Sequence, residues 1–398
     1  MSTLLPLITV DTLGEPLGTP DRPTLAGKPA LLDQSPESLR TWLAERGQPP
    51  MRVKQIRRWV LESRATSFDE MSDLPKTLRT ELDAAFTVFS MRVEKHLIAH
   101  DDTNKLLLRL HDDKMIECVL IQEDGRATAC ISTQVGCGMG CVFCASGLNG
   151  VARNITTGEI VEQLVRLRNL TSHPDHGDQI SVSGRLATRL THIVVMGMGE
   201  PLANLDNLME ALAVAGDKNG LGIGARHITI STVGLPAKIR RLADLGKQYH
   251  LAVSLHASNN ELRTEIVPTN TKTGITDILV AADYFFEKTG RQVTYEYVVL
   301  GGLNDQLVHA KELLGLLRGR KSHVNLIPWN NVEGLPYKRP RDLDLGGFIE
   351  ELRRNGVSVT VRQRKGSEID AACGQLRRNA EKEKAVAPVF SVPGEPAT

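Results

Sequence analysis

The sequence predicts an α/β protein: a six-unit (β/α) barrel preceded by a small helical domain, with flexible termini. Three observations predict it. Strand-like and helix-like runs alternate from about residue 127 onward, a basic helical stretch precedes them, and Pro-rich segments without periodicity lie at both ends. The chain has 398 residues, of which 41% are hydrophobic and 24% charged, so a sizeable core is expected and whole-chain disorder is not. Aromatic residues make up only 4%, so that core must be aliphatic. Lys+Arg and Asp+Glu nearly balance, at 48 and 47, which excludes a uniformly basic coat but not a local basic face. No apolar run approaches a membrane span, and Met1 to Pro36 lacks the pattern of a secretory signal. Six cysteines are too few for a disulfide scaffold. A reducing, cytoplasmic setting is expected, with no membrane partner, and clustered cysteines there read as metal or redox chemistry.

The elements follow in order. Residues 1–35 carry Pro6, Pro16, Pro20, Pro23 and Pro29 and read as a flexible tail. Ser35-Pro36-Glu37 is a helix start, and residues 36–90 read as a helical accessory domain suited to RNA. Leu39, Trp42 and Leu43, then Val53, Ile56 and Val60, fall at helical spacing. Arg46, Arg52, Lys54, Arg57 and Arg58 make this unit basic; taken alone, such charge is usually a solvated face. Residues 91–126 read as a β extension, with strands over 105–110 and 115–121. The barrel core, 127–365, takes strands at 127–133, 191–196, 227–231, 251–255, 293–299 and 324–327, with helices between them. A helix over 343–354 and a strand-like run at 358–361 follow. Residues 366–384 read as a C-terminal segment with a reactive cysteine loop, and 385–398 read as a second flexible tail. The stretch from Thr171 to Arg189 departs from a tight connection and reads as a surface loop, with His173 and His176 in solvent.

The strongest chemical signal is Cys137-Gly-Met-Gly-Cys141-Val-Phe-Cys144. Three thiolates on one Gly-rich loop after a strand suit an iron–sulfur cluster, and on a cubane they leave one iron open to a substrate. Zinc competes, but a structural zinc site wants four ligands. Three cysteines within eight residues are far above this chain's background, so simple burial explains them poorly. Further motifs fall at strand ends, the face where β/α barrels keep their sites: Gly197-Met198-Gly199-Glu200-Pro201, Ile230 to Gly234, Ser254-Leu255-His256 and Leu326 to Asn330.

Together with Asp370-Ala-Ala-Cys373-Gly-Gln-Leu, over residues 36 to 380, these motifs resemble the RlmN/Cfr family of radical S-adenosylmethionine (SAM) RNA methyltransferases. The resemblance implies a radical SAM barrel and a cytoplasmic enzyme. It implies that Cys137, Cys141 and Cys144 hold a 4Fe-4S cluster, and that Gly199, Glu200, Ser231, Ser254, Leu255, His256 and Asn330 line a SAM site. Cys373 becomes the methyl-carrying cysteine, Cys130 the resolving thiol that forms a transient disulfide with it, and Glu117 the proton acceptor. The implied activity is methylation of C2 of one adenine in 23S rRNA, in the peptidyl transferase centre, and of an adenine in the tRNA anticodon loop. It runs through an S-methylcysteine and a covalent protein–RNA adduct, and consumes two SAM per turnover. The implied partners are 23S rRNA, tRNA and a low-potential electron donor such as flavodoxin.

Each position also has an ordinary reading. Cys130 alone is more often a core thiol, and Glu117 alone is more often solvent-facing. His256 alone is as well read as a structural hydrogen-bonding residue. Strand alternation points Cys118 away from Glu117, into the core. Cys373, between Ala372 and Gly374 in a polar loop, suits a mobile reactive thiol. Arg362, Arg364 and Lys365 before that loop, and Arg377, Arg378, Lys382 and Lys384 after it, suit phosphate contact. Two other functions fit much of the pattern: a Cfr-type adenine-C8 methyltransferase, and a non-catalytic, metal-stabilised RNA-binding module.

Overall fold

The computed structural model describes residues 27–172 and 179–376. Most of the tail at 1–35, all of 385–398, His173 and His176, and Arg377, Arg378, Lys382 and Lys384 lie outside them.

The helical unit holds α1 (Pro36–Ala44), α2 (Met51–Leu61) and α3 (Lys76–Ala85). Ser35 caps α1 by accepting from the Ser38 amide at 3.0 Å, with Pro36 in the first turn. Leu39, Leu43, Val53, Ile56 and Val60 are buried, as their spacing predicts, Trp42 is partly buried against the same core, and Leu78 and Leu82 of α3 join it.

One ten-stranded sheet follows: β1 (Arg92–Ile98), β2 (Asn104–Arg109), β3 (Met115–Glu123), β4 (Arg126–Cys130), β5 (His192–Val195), β6 (Ile228–Thr232), β7 (His250–Ser254), β8 (Val293–Val299), β9 (Ser322–Pro328) and β10 (Ser358–Val361). The strands neighbour one another in chain order. Pairing is antiparallel from β1 to β4 and parallel from β4 to β10. Six β/α units are therefore present, and β10 adds a seventh parallel strand. The sheet is open, with β1 and β10 as its edges. It nevertheless curls, because side chains of β3, β4, β9 and β10 line one common cavity.

Helices connect the parallel strands: α4 (Thr157–Asn169), α5 (Leu205–Gly216), α6 (Pro236–Asp244), α7 (Asn260–Ile266), α8 (Ile275–Thr289), α9 (Leu307–Leu317) and α10 (Asp342–Arg354). Thr156 and Glu159 form a reciprocal capping box on α4. The core between helices and sheet is mainly Leu, Ile, Val and Ala, with a few aromatics such as Phe285, Tyr297 and Phe348. The helical unit docks on α4 through buried polar contacts. Arg168 donates to the Val60 and Leu61 carbonyls at 2.7 and 2.8 Å, and Glu162 accepts from the Ser90 amide at 2.7 Å. The 171–189 insertion carries a small hairpin, Ile180–Ser181 with Gly184–Arg185, fastened to the β1–β2 turn where the Ser183 amide donates to Asp102.

Candidate active site

Strand β4 ends at Cys130, three residues earlier than the hydrophobic run suggested. The chain then enters a short hairpin, Gln134–Gly136 against Val151–Asn154, which clamps both ends of the cysteine loop. The Cys137 amide donates to the Gly150 carbonyl at 3.0 Å. A Cβ on Gly136 would lie 2.1 Å from that same oxygen, so only glycine fits there. Cys137, Cys141 and Cys144 face one cavity at the C-terminal ends of the parallel strands. Burial pushes Cys137 up to about 12, Cys141 well above the usual thiol range, and Cys144 upward. The sulfurs of Cys137 and Cys144 raise Cys141 further. Such thiols ionise only against strong positive charge, which a metal supplies. Among the described residues, no three His, Cys, Asp or Glu converge closely enough for a single metal ion. Three sulfurs spread around one loop fit three corners of a 4Fe-4S cluster better than a closed zinc site.

Gly199, Glu200, Ser231, Ser254, His256 and Asn330 line the same cavity. Leu255 does not. Strand alternation turns its side chain into the main core, fully buried, and only its backbone carbonyl contributes, accepting from Arg263 at 3.1 Å. Glu200 is buried, and its carboxylate accepts from the Val233 amide at 2.7 Å and the Leu202 amide at 3.0 Å. Burial outweighs these bonds and pushes it up to about 7. His256 holds a left-handed backbone, φ 61°, with Nδ1 accepting from the Val298 amide at 3.1 Å. Burial drives its pKa down to about 3, so it is neutral, and Phe143 stacks edge-on at 5.0 Å.

Cys373 lines this cavity too. Three hydrogen bonds hold the loop carrying it. The Cys373 carbonyl accepts from Asn330 Nδ2 at 3.1 Å, the Gly374 carbonyl from the Ala145 amide at 2.8 Å, and Gln375 Nε2 donates to Asn331 at 2.7 Å. Cys130 and Glu117 do not line this cavity. Cys130 pairs in register with Val119, which places it on the face of the sheet that Glu117 shares, while Cys118 points into the core. Burial pushes Cys130 up to about 12, the Cys373 sulfur adds to this, and the Arg362 guanidinium opposes it. Glu117 does not face solvent: its side chain is 9% exposed and pairs with Lys105 at 3.1 Å.

Sequence reasoning missed Lys105, Glu296 and Arg263. Glu296 lines the cavity and accepts from Asn325 at 2.8 Å; a carboxylate inside Val293-Thr-Tyr-Glu-Tyr-Val-Val was the available signal. Arg263, 1% exposed, holds carbonyls of the post-strand loops, including Val233 at 2.6 Å; on the short α7 it looked like any helix-surface cation. A second cavity of about 550 Å³ shares Ile327, Asn330 and Cys373 with the first, and is edged by Arg126, Arg339, Arg362, Arg364 and Lys365. A larger groove, about 740 Å³, lies at the opposite ends of β9 and β10 and is lined by no thiol or carboxylate.

An open parallel sheet with three cysteines on the loop after its first parallel strand defines a radical SAM enzyme, and residues 178–314 match the family model described as the radical SAM superfamily. Residues 30–88 match the ribosomal RNA large subunit methyltransferase N-terminal domain. The chain belongs to the RlmN family of radical SAM RNA methyltransferases, which use a 4Fe-4S cluster and SAM. A relative from Rhodopirellula baltica, named a probable dual-specificity RNA methyltransferase RlmN, is 50% identical over 96% of this chain and 97% of its own length. One of the same name from Bacillus licheniformis is 42% identical over 90% of this chain and 96% of its own. A solved radical SAM methyltransferase from Sphaerobacter thermophilus is similar with a TM-score of 0.82 and 40% identity, covering 88% of this chain and 99% of that one.

Proposed function

We propose that the chain methylates C2 of one adenine in 23S rRNA, in the peptidyl transferase centre, and of an adenine in the tRNA anticodon loop. The relatives named as dual-specificity RNA methyltransferases support both RNA classes. The observation that carries the reading is the Cys373 thiol on the wall that also bears Cys137, Cys141 and Cys144.

Adenine C2 lies between two ring nitrogens and is electron-poor, so it cannot attack a methyl donor itself. When bound at Cys137, Cys141 and Cys144, the 4Fe-4S cluster supplies the electron that turns SAM into a source of a hydrogen-abstracting radical. The remaining work falls to the chain. Gly199, Glu200, Ser231, Ser254, His256 and Asn330 form the SAM wall, with Leu255 supporting it from the core. Cys373, as its thiolate, takes a methyl group by displacement and holds it against the RNA base; that methyl loses one hydrogen atom to the SAM-derived radical, and its carbon then bonds to C2. Glu117 accepts the C2 proton. The Cys130 thiolate then attacks the Cys373 sulfur and breaks its bond to the transferred carbon, which takes up a proton to give methyladenine, leaving a Cys130–Cys373 disulfide that an external thiol reduces. Arg126, Arg339 and Arg364 at the vestibule meet RNA phosphates while the target base is extruded toward Cys373. Electrons enter from a low-potential donor such as flavodoxin.

The test is turnover with SAM and RNA in oxygen-free, reducing conditions, with the product carbon assigned by mass spectrometry and NMR. The reading expects 2-methyladenine from the wild type and none from Cys373→Ala. Modification at C8 would replace it with the Cfr-type activity. A colourless protein that leaves SAM uncleaved would replace it with an RNA-binding module.

A further inference from the structure

Lys105 is a buried cation between two parts of the proposed machinery. It sits on β2 with its side chain 8% exposed. Its ammonium meets Glu117 Oε1 on β3 at 3.1 Å and donates to the Asp370 carbonyl, three residues before Cys373, at 3.2 Å. Register explains the pairing. Lys105 lies opposite Val119, so Glu117 is its diagonal neighbour on the same face of the sheet. The Asp370 end of the Cys373 segment is held from the same side: the Gly366 amide donates to Asp101 at 3.0 Å, and the His100 amide donates to Glu368 at 2.5 Å.

A buried lysine is costly unless its charge is met, and a buried carboxylate stays ionised only beside positive charge. This arrangement meets both requirements at the position where the reaction needs a base. We propose that Lys105 is a positioning residue for proton removal: fixed by the Asp370 carbonyl, its ammonium keeps Glu117 an ionised, oriented acceptor next to the Cys373 loop. The inference rests on the reading of Glu117 given above. In that step the C2–H bond breaks, the proton goes to a Glu117 oxygen, and the C–H electron pair restores the adenine ring. The one unpaired electron left by radical addition would pass to a one-electron acceptor, chemistry that an oxidised 4Fe-4S cluster held by Cys137, Cys141 and Cys144 would supply. Lys105 keeps its own proton throughout.

The experiment compares the reconstituted wild type with Lys105→Met, Lys105→Arg, Glu117→Gln and the double variant Lys105→Met/Glu117→Gln. RNA is supplied with protium or deuterium at adenine C2. Methylation of Cys373 by SAM, a step that breaks no bond at adenine C2, is measured in parallel. Lys105→Met is expected to lower kcat about 10- to 100-fold, part of what a general base contributes, with KM for RNA and Cys373 methylation close to wild type. Its C2 deuterium isotope effect on kcat is expected to rise, because proton removal becomes limiting. Lys105→Arg is expected to recover most of the rate, and the double variant to be no slower than Glu117→Gln. An unchanged isotope effect in Lys105→Met, or a loss of Cys373 methylation in step with turnover, would overturn the assignment. Full turnover by Glu117→Gln would instead remove the base itself. An inactive Glu117→Gln beside a wild-type Lys105→Met would leave the base standing and remove only the role of Lys105.

Discussion

Replacing Gly199 with alanine tests how the proposed SAM wall is built. Gly199 holds φ +103°, a conformation that L side chains rarely adopt. A Cβ there would lie 2.6 Å from Gln134 Cβ and 2.8 Å from the Gln134 amide nitrogen. The dihedral costs about 1–2 kcal/mol and the overpacking about 1–3 kcal/mol more, so Gly199→Ala should lose about 2–5 kcal/mol. The loss is local, because Gln134 Oε1 accepts from the Glu200 amide at 2.9 Å. Pushing Gln134 aside displaces the Glu200 carboxylate from the Val233 and Leu202 amides. Gly246→Ala is the control: its φ is +62° with nothing within 4 Å of the new carbon, so it pays only the dihedral, about 1 kcal/mol. The assay pairs thermal melting with SAM binding by equilibrium dialysis on reconstituted protein. Gly199→Ala should melt lower than Gly246→Ala and bind SAM at least tenfold more weakly, since about 1.4 kcal/mol is a factor of ten. Equal melting and equal SAM affinity in the two variants would refute the packing argument.

Three further outcomes follow from the same geometry. Arg168→Met leaves the Val60 and Leu61 carbonyls without their buried donor, at a cost of about 2–4 kcal/mol, and limited proteolysis should cut within residues 36–85 sooner than in the wild type. Burial alone would raise Glu159, but two 2.8 Å bonds from Arg153 hold it at about 2, below the ordinary 4.5. Its stabilisation is therefore complete above pH 4.5 and lost as pH falls toward 2, so Arg153→Met should begin acid unfolding at higher pH, read by circular dichroism. Cys130→Ala should accumulate protein–RNA adduct on denaturing gels during turnover, because the thiol proposed to release Cys373 is gone; free product at the wild-type rate would contradict that role.

The sheet was legible because its strands and helices obey period 2 and period 3.6 with little interference. Val293–Val299 and Leu205–Gly216 sit within a residue of where periodicity puts them. The sequence extends β4 past Cys130 because Ile131 and Thr133 are β-branched like a continuing strand, but the backbone leaves the ladder there: the Ser132 amide donates to Gln163 Oε1 at 2.9 Å and the Thr133 amide to the Met198 carbonyl at 2.8 Å. The cysteine loop, the glycines and Cys373 stood out because their chemistry is local in sequence. Leu255 was grouped with its neighbours by motif, and only pleat geometry separates it from Ser254 and His256. Lys105, Arg263 and Glu296 owe their roles to neighbours far along the chain. Asp370, for example, lies 265 residues from Lys105, a distance that composition and spacing cannot bridge.

The account stands on Cys373 as the carrier of the transferred methyl group. Peptide mass spectrometry of the reconstituted enzyme, incubated with SAM labelled at its methyl group and then quenched before RNA is added, tests this directly. The label should sit on the peptide bearing residue 373 and pass to adenine when RNA is supplied. RNA that becomes methylated while residue 373 never carries the label would contradict it.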